Sequence, residues 1–368
     1  MRYKSIIIIT GIAIMLLTQT CQTALTPAEQ AIQSRIENSP RYVDGKFNHN
    51  GNVLKMSIKD YANTTWEYVC GDNETTPKTA PPVQAVDLAH FNTTAPRQLN
   101  VTWLGHSSLM IHIDGYRILT DPVFFKRVSL LGPSRFNGDV PLDIEDLPAI
   151  DAVIISHDHY DHLNKPSILF LQDRVEKFIV PLGVGGRLAD WGVPREQIVE
   201  LDWWETFQFD QDLQFVATPA QHFSGRGVTD RNKTLWASWV VMARTHKIYF
   251  SGDSGYFEGF KQIGDQYGPF DMTFIECGAY NEAWHGVHLF PEETVQAHLD
   301  LRGKVLHPIH WGTFNLSVHA WYEPMQRLAR AAQAHNIKTA TPIVGQTTIW
   351  DRAIPTAKWW EPLETASK

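Results

Sequence analysis

Ser156-His157-Asp158-His159-Tyr160-Asp161-His162-Leu163 follows directly on the apolar run Ala152 to Ile155. A short run without alternation reads as a strand buried on both faces, and a strand end opening into a loop lets a rigid scaffold aim several side chains at one point. Three imidazoles and two carboxylates crowd into six residues of that loop. A merely solvated loop has no use for such a density of donors. His157 and His159 can grip one metal ion while Asp161 and His162 turn toward an adjacent one. Nitrogen and oxygen donors with no thiolate nearby suit zinc, with manganese or iron as alternatives.

Two ions need more ligands than this loop holds, and candidates stand after other expected strands. His222 follows Leu213 to Ala217, Asp253 follows Lys247 to Phe250 among small residues, and His310 ends the run Val305 to Ile309. Singly, each is an ordinary polar residue. Together they add one histidine per metal and one aspartate to share. Further strands are expected at Val101 to Leu104, Leu109 to Ile113, Tyr116 to Thr120, Lys177 to Val180 and Trp239 to Met242. Helices are expected at Lys165 to Asp173, Gly185 to Trp191, Pro291 to Leu301 and Trp321 to His335; Pro291 with Glu292 and Glu293 suits a helix start. Alternation of the two kinds indicates an α/β fold of mixed sheets covered by helices.

The order His157-x-His159-x-Asp161-His162, then His222, Asp253 and His310, resembles the metallo-β-lactamase superfamily. The flanking text is more specific. Thr102-Trp103-Leu104-Gly105-His106-Ser107, Leu119-Thr120-Asp121-Pro122, Gly132-Pro133-Ser134-Arg135-Phe136, Pro219 to His222, Leu235-Trp236, Gly252-Asp253-Ser254-Gly255-Tyr256 and Ile309-His310-Trp311-Gly312-Thr313-Phe314 are similar to the branch containing N-acyl-phosphatidylethanolamine-hydrolysing phospholipase D and its bacterial relatives. The resemblance runs from residue 40 to residue 350 or so. It implies an αββα sandwich with two divalent metal ions at the strand-loop edge: His157, His159 and His222 on the first, Asp161, His162 and His310 on the second, and Asp253 bridging them. It also implies that His288 and Tyr160 contact substrate, His288 by donating a hydrogen bond or a proton.

Two such ions, roughly 3.5 to 4 Å apart, provide hydroxide near neutral pH and neutralise charge on a phosphodiester, so no serine or cysteine nucleophile is required. The expected activity is that of a phosphodiesterase of phospholipase D type on an N-acyl-phosphatidylethanolamine-like phospholipid, with contact to a membrane surface. Alternatives are a lactonase or other carboxylic-ester or amide hydrolase, and an envelope metal-binding protein with vestigial catalysis; the full ligand set counts against the last. His106 and Asp121 are expected to support ligands rather than bind metal. Trp203, Trp204, Trp236, Trp239, Trp284, Trp311 and Trp321 line an acyl-chain groove or, for the most part, fill the core.

The remaining bounds come from composition and the chain ends. The 368 residues carry a formal charge of -8, which removes the basic footprint of a nucleic-acid-binding protein. Arg2 and Lys4 precede the apolar stretch Ser5 to Thr18, so residues 1–24 read as an export signal to the periplasm or cell envelope. Lipoprotein anchoring at Cys21 is the lesser alternative, because Thr20 stands where a small residue is usual. Residues 25–97 read as an N-terminal wrap, 98–355 as the hydrolase domain and 356–368 as a C-terminal tail. Cys70 and Cys277 are expected to stay unpaired.

Overall fold

Ala152 to Ile155 lacks alternation because its strand is covered on both sides. In the computed structural model, which describes residues 26–48, 57–71, 73–93, 95–361 and 363, Val153 and Ile155 pack against Ile168, Leu171, Val184 and Leu188, while Ala152 and Ile154 are buried outside that cluster. The two helices contributing those partners, Lys165–Leu171 and Val184–Asp190, lie within two residues of the expected bounds. Asn164 caps the first through Ser167 N, and Pro166 sits in its first turn.

The strands are β1 (Tyr42–Val43), β2 (Lys46–Phe47), β3 (Leu99–Trp103), β4 (Leu109–Ile113), β5 (Tyr116–Thr120), β6 (Ile150–Ile154), β7 (Val175–Pro181), β8 (Ile198–Leu201), β9 (Thr206–Gln208), β10 (Gln214–Thr218), β11 (Ser238–Met242), β12 (Lys247–Phe250), β13 (Phe270–Glu276), β14 (Gly303–Ile309) and β15 (Thr347–Ile349). Apart from the β1-β2 hairpin they form a seven-stranded sheet, ordered β15-β3-β4-β5-β6-β7-β8, and a six-stranded one, ordered β14-β13-β12-β11-β10-β9. Each is mixed: β5 to β8 run parallel in the first, β12 to β14 in the second, and the other neighbours are antiparallel. The helix Pro291–Asp300 packs on β13 and β14 and on the helices Gly259–Tyr267 and Glu323–Ala334. This is the αββα sandwich that the resemblance implied.

Register decides what reaches the sheet edge. In the first sheet Thr120 pairs with Ile154, so the residues just beyond β5 and β6 emerge side by side. In the second, Phe250 pairs with Phe274 and Glu276 with Ile309, which brings the ends of β12, β13 and β14 level. Trp239 Nε1 donates to Ile155 O across the two sheets (3.0 Å).

Two compact units divide the chain, Met1–Asn38 and Ser39–Lys368. The segment expected as a wrap is therefore shared between them. In the first unit the helix Pro27–Asn38 begins at Thr26, whose Oγ1 accepts from Glu29 N. The second opens with the β1-β2 hairpin and the helices Ile58–Cys70 and Ala89–Asn92. Within the described part of the segment expected as a C-terminal tail, Trp359 stacks on Trp311 with ring centroids 4.9 Å apart, and Trp360 is buried. Cys70 is exposed and Cys277 buried, both unpaired. No described helix is long and apolar enough to cross a membrane. The expected export signal and Cys21 lie outside the described residues.

Candidate metal centre

Six strand ends supply the site. Asp121 follows β5, the 156–163 loop follows β6, His222 follows β10, Asp253 follows β12, Glu276 ends β13 and His310 follows β14. Three of the non-glycine residues there, His106, Asp121 and His310, have positive φ of 55°, 35° and 64°. Left-handed backbone at bulky residues is costly, and its concentration at one point marks a place where geometry overrides local preference. Gly252, at φ +55°, has a further reason: a Cβ there would lie 2.3 Å from Ser156 Cβ, so only glycine lets the Asp253 turn of one sheet reach the histidine loop of the other.

Asp253 Oδ2 is the hub. It lies 3.2 Å from His162 Nε2, 3.2 Å from His310 Nε2, 3.7 Å from His222 Nε2 and 3.9 Å from His157 Nε2. On one side His157 Nε2 comes within 2.8 Å of His159 Nδ1, and His222 Nε2 within 3.3 Å of the same atom. On the other, Asp161 Oδ2 lies 3.4 Å from His162 Nε2 and 3.5 Å from His310 Nε2. The seven residues expected as ligands are thus brought together: His157, His159, His222 and Asp253 form one group able to hold an ion, Asp161, His162 and His310 form a second with His106, and Asp253 and His310 form a third with Glu276 and His288.

The far nitrogens of His222, His162 and His157 have partners, whereas His310 Nδ1 is buried without one. His222 Nδ1 donates to Val287 O (2.8 Å), which leaves its Nε2 without a proton and turned to the cluster. His162 Nδ1 meets Asp121 Oδ2 at 2.7 Å, and Ser156 gives Asp121 both its N–H and its hydroxyl. Ser156 Oγ also lies 2.9 Å from His157 Nδ1. Such outer partners set tautomer and orientation at metal sites. His106 Nε2 donates to Asp161 Oδ2 (3.0 Å), and His106 stands in the same group of possible ligands as Asp161, His162 and His310.

Electrostatics divide the imidazoles. Burial holds His157 and His222 well below the usual value, His159 at about 4 and His106 at about 3. Burial acts the same way on His162 and His310, but Asp253 and Asp161 overcome it and push His162 up and His310 to about 10. Burial would raise Asp161 and Asp253; facing those rings, both are instead held well below the carboxylate range. His162 Nε2, His310 Nε2 and Asp253 Oδ1 are buried and make no hydrogen bond. Leaving such atoms unpaired costs about 1–3 kcal/mol each. Divalent cations coordinated among them would satisfy all three, so the donor set fits metal binding.

Around this centre, His288 stands with its ring 5.0 Å from that of His222 and 5.5 Å from that of His310, its side chain 14% exposed. Its Nδ1 bonds Glu276 Oε2 at 2.9 Å. Glu276 is fully buried, and burial raises its carboxyl against the pull of His288. The sequence reading missed Glu276 because it missed strand β13. Tyr160 is 41% exposed, with the Arg226 guanidinium 3.9 Å above its ring. Of the seven tryptophans considered for a groove, Trp203, Trp236, Trp239, Trp311 and Trp321 are buried. Trp203 and Trp204 border a cavity of about 370 Å³ beside Gln221 and Phe257, which none of the expected ligands lines.

A family model described as a Beta-lactamase superfamily domain matches residues 116–311. The chain belongs to the metallo-β-lactamase superfamily. Among relatives in this superfamily, an uncharacterized protein of Mycobacterium tuberculosis is 42% identical over 351 residues, covering 92% of this chain and 91% of that one. The N-acyl-phosphatidylethanolamine-hydrolyzing phospholipase D 1 of Caenorhabditis elegans is 33% identical over 299 residues, covering 77% and 82%. Among solved structures, the metallo hydrolase Igni18 of Ignicoccus hospitalis shares the fold, with a TM-score of 0.54, 20% identity and coverage of 69% of this chain and 99% of that one. The protein is a superfamily metal-dependent hydrolase of the branch similar to N-acyl-phosphatidylethanolamine-hydrolysing phospholipase D.

Proposed function

We propose that the protein is a phosphodiesterase of phospholipase D type acting on an N-acyl-phosphatidylethanolamine-like phospholipid. The observation that carries this reading is Asp253 Oδ2 within 3.9 Å of four imidazole nitrogens, the centre of a two-ion donor set, in a chain similar to a relative named for that hydrolysis. His157, His159 and His222 would hold a first divalent ion, Asp161, His162 and His310 a second, with Asp253 shared between the two groups. Zinc suits these donors best, with manganese and iron as alternatives. When bound, such ions would supply an activated water near neutral pH and offset negative charge on the phosphodiester and its leaving oxygen.

The chain's own groups do the rest. Asp161 and Asp253, as ligands, would orient the water rather than act as free bases. His288, at the opening of the cleft, contacts the scissile group through Nε2, since its Nδ1 is taken by Glu276. Tyr160 and Arg226 offer an exposed ring and a cation beside the ligand loop, a pairing suited to a phosphate and its neighbouring carbons. Leu130 and Leu131, 91% and 94% exposed, stand with Lys126 and Arg127 on a segment tied to the ligand loop by Asn164, whose Nδ2 donates to Val128 O. Two bare leucines beside two cations favour contact with an anionic membrane surface.

The test is parallel assay of the metal-analysed protein on N-acyl-phosphatidylethanolamine, ordinary phospholipids, a generic phosphodiester and a lactone panel. Chelator-sensitive turnover of the first, restored by Zn²⁺ or Mn²⁺, is expected. A preference for lactones overturns the phosphodiesterase reading in favour of a carboxylic-ester hydrolase.

A further inference from the structure

Glu276 makes a pattern of contacts that packing does not explain. It is wholly buried at the end of β13, and each carboxylate oxygen has a separate duty: Oε1 accepts from Leu289 N (2.8 Å) and Oε2 bonds His288 Nδ1 (2.9 Å). Its backbone is pinned as well, because Glu276 N donates to Ser251 Oγ and Glu276 O accepts from Thr294 Oγ1. A carboxylate so held fixes both the turn carrying His288 and the ring itself. Burying an acid is expensive unless each oxygen is satisfied, and here both are satisfied by the one segment that borders the cleft.

We propose that Glu276 is a positioning residue, which holds the His288 imidazole by Nδ1–H and so leaves Nε2 free of a proton, turned to accept a hydrogen bond from the attacking water or from a donor on the substrate, where the resemblance implied that His288 donates. The proposal rests on the reading of His288 as a substrate contact. Tautomer is the heart of it. Leu289 N–H can only donate, so an amide placed at 276 must turn its single oxygen toward Leu289. Its NH₂ then faces His288 Nδ1, which has to accept, and the ring proton moves to Nε2. Glu276→Gln therefore changes the chemistry of His288 with almost no change of shape. Glu276→Asp keeps the carboxylate.

The experiment is a double-mutant cycle on the zinc-loaded protein, with the ring-nitrogen NMR spectrum of His288, identified by its loss in His288→Ala, as a second readout. Outer partners of this kind are worth about 10–100-fold in activity. Glu276→Gln should lower kcat by about that factor with KM changed far less and metal content intact, should transfer the proton from Nδ1 to Nε2, and should cost nothing further in the His288→Ala background. Glu276→Asp should recover part of the loss; if the Gln variant does not fold, Asp takes its place in the cycle, with a smaller loss of kcat that likewise vanishes in the His288→Ala background and with the ring proton still on Nδ1. Equal losses in both backgrounds, or an unchanged His288 spectrum in Glu276→Gln, overturn the proposal. Should no phosphodiester be turned over, the reading of the cleft fails, while the spectrum still decides whether Glu276 sets the tautomer.

Discussion

His162 Nδ1 stands 2.7 Å from Asp121 Oδ2, with both side chains wholly buried. Asp121 has no exposed function, and burial pushes its carboxyl up, so its retention there is explained by what it does to the ring. Asp121 Oδ1 accepts the fixed Ser156 N–H at 2.7 Å. In Asp121→Asn the single oxygen goes to Ser156, the NH₂ faces His162 Nδ1, and the proton shifts to Nε2, where it blocks coordination. Metal affinity should fall about 10–100-fold at the second site. Competition against a chromophoric chelator reads it, and wild-type affinity in the Asn variant would show that Asp121 does not set the tautomer.

The metal-free centre should bind ions more tightly as pH rises. Burial alone would lower His310, but Asp253 and Asp161 push it up to about 10, so below that pH the metal-free ring carries a proton that an ion has to displace. Each displaced proton steepens the dependence by about tenfold per pH unit. Titration calorimetry between pH 6 and 9, in buffers of different ionisation enthalpy, should show proton release and an affinity that climbs with pH. A flat affinity with no release contradicts the charged state of His310.

The fold and the ligands were legible for different reasons. His157, His159, Asp161 and His162 stand out because no packing argument requires them, and β6 before them reads as buried because it is. Glu276 was hidden because β13 was: the run Phe270–Glu276 contains Asp271, which pairs with Lys304 at the opposite end of the sheet, and so reads as broken. The helix Gly259–Tyr267 was obscured by its own glycines. A Cβ on Gly264 would sit 2.0 Å from Asp300 O, so tertiary contact demands glycine where helix propensity resists it. The tryptophans read equally well as groove or core, because bulk and aromaticity are the same in both; only burial separates Trp239 from Trp204.

Asp114 should be a principal support of the edge away from the metals. It lies in the β4-β5 turn and accepts from Thr245 N (2.6 Å), Thr245 Oγ1 (2.6 Å), His246 N (3.0 Å) and His246 Nδ1 (2.7 Å) in the β11-β12 turn, with its side chain 1% exposed. Burial opposes ionisation, yet the bonds from His246 and Thr245 hold the carboxyl well below its usual range. A depressed carboxyl stabilises above its unfolded value, about 3.9, and loses that contribution as pH falls through the folded one. Asp114→Ala should cost about 3 kcal/mol at pH 7 by denaturant unfolding. Asp114→Asn should show a flatter fall of Tm below about pH 4 than wild type; parallel curves would mean that Asp114 is not the group titrating.

Substitution of the exposed pair Leu130 and Leu131 should separate the proposed catalysis at a membrane surface from catalysis in solution. A leucine fully removed from water gains about 1.5–3 kcal/mol. Leu130→Ser with Leu131→Ser should therefore weaken partition onto phosphatidylglycerol-containing vesicles by about a hundredfold or more. Hydrolysis of vesicle-borne substrate should fall with it, while turnover of a soluble short-chain phosphodiester stays at wild-type level, since neither leucine is placed in the metal cleft. Lys126→Glu with Arg127→Glu should reproduce the loss on anionic vesicles but much less on neutral ones, because attraction between these cations and the surface is screened by salt and needs opposite charge. Equal sedimentation of wild type and the serine variant with vesicles would remove this segment from any membrane contact and leave the metal centre's chemistry untouched.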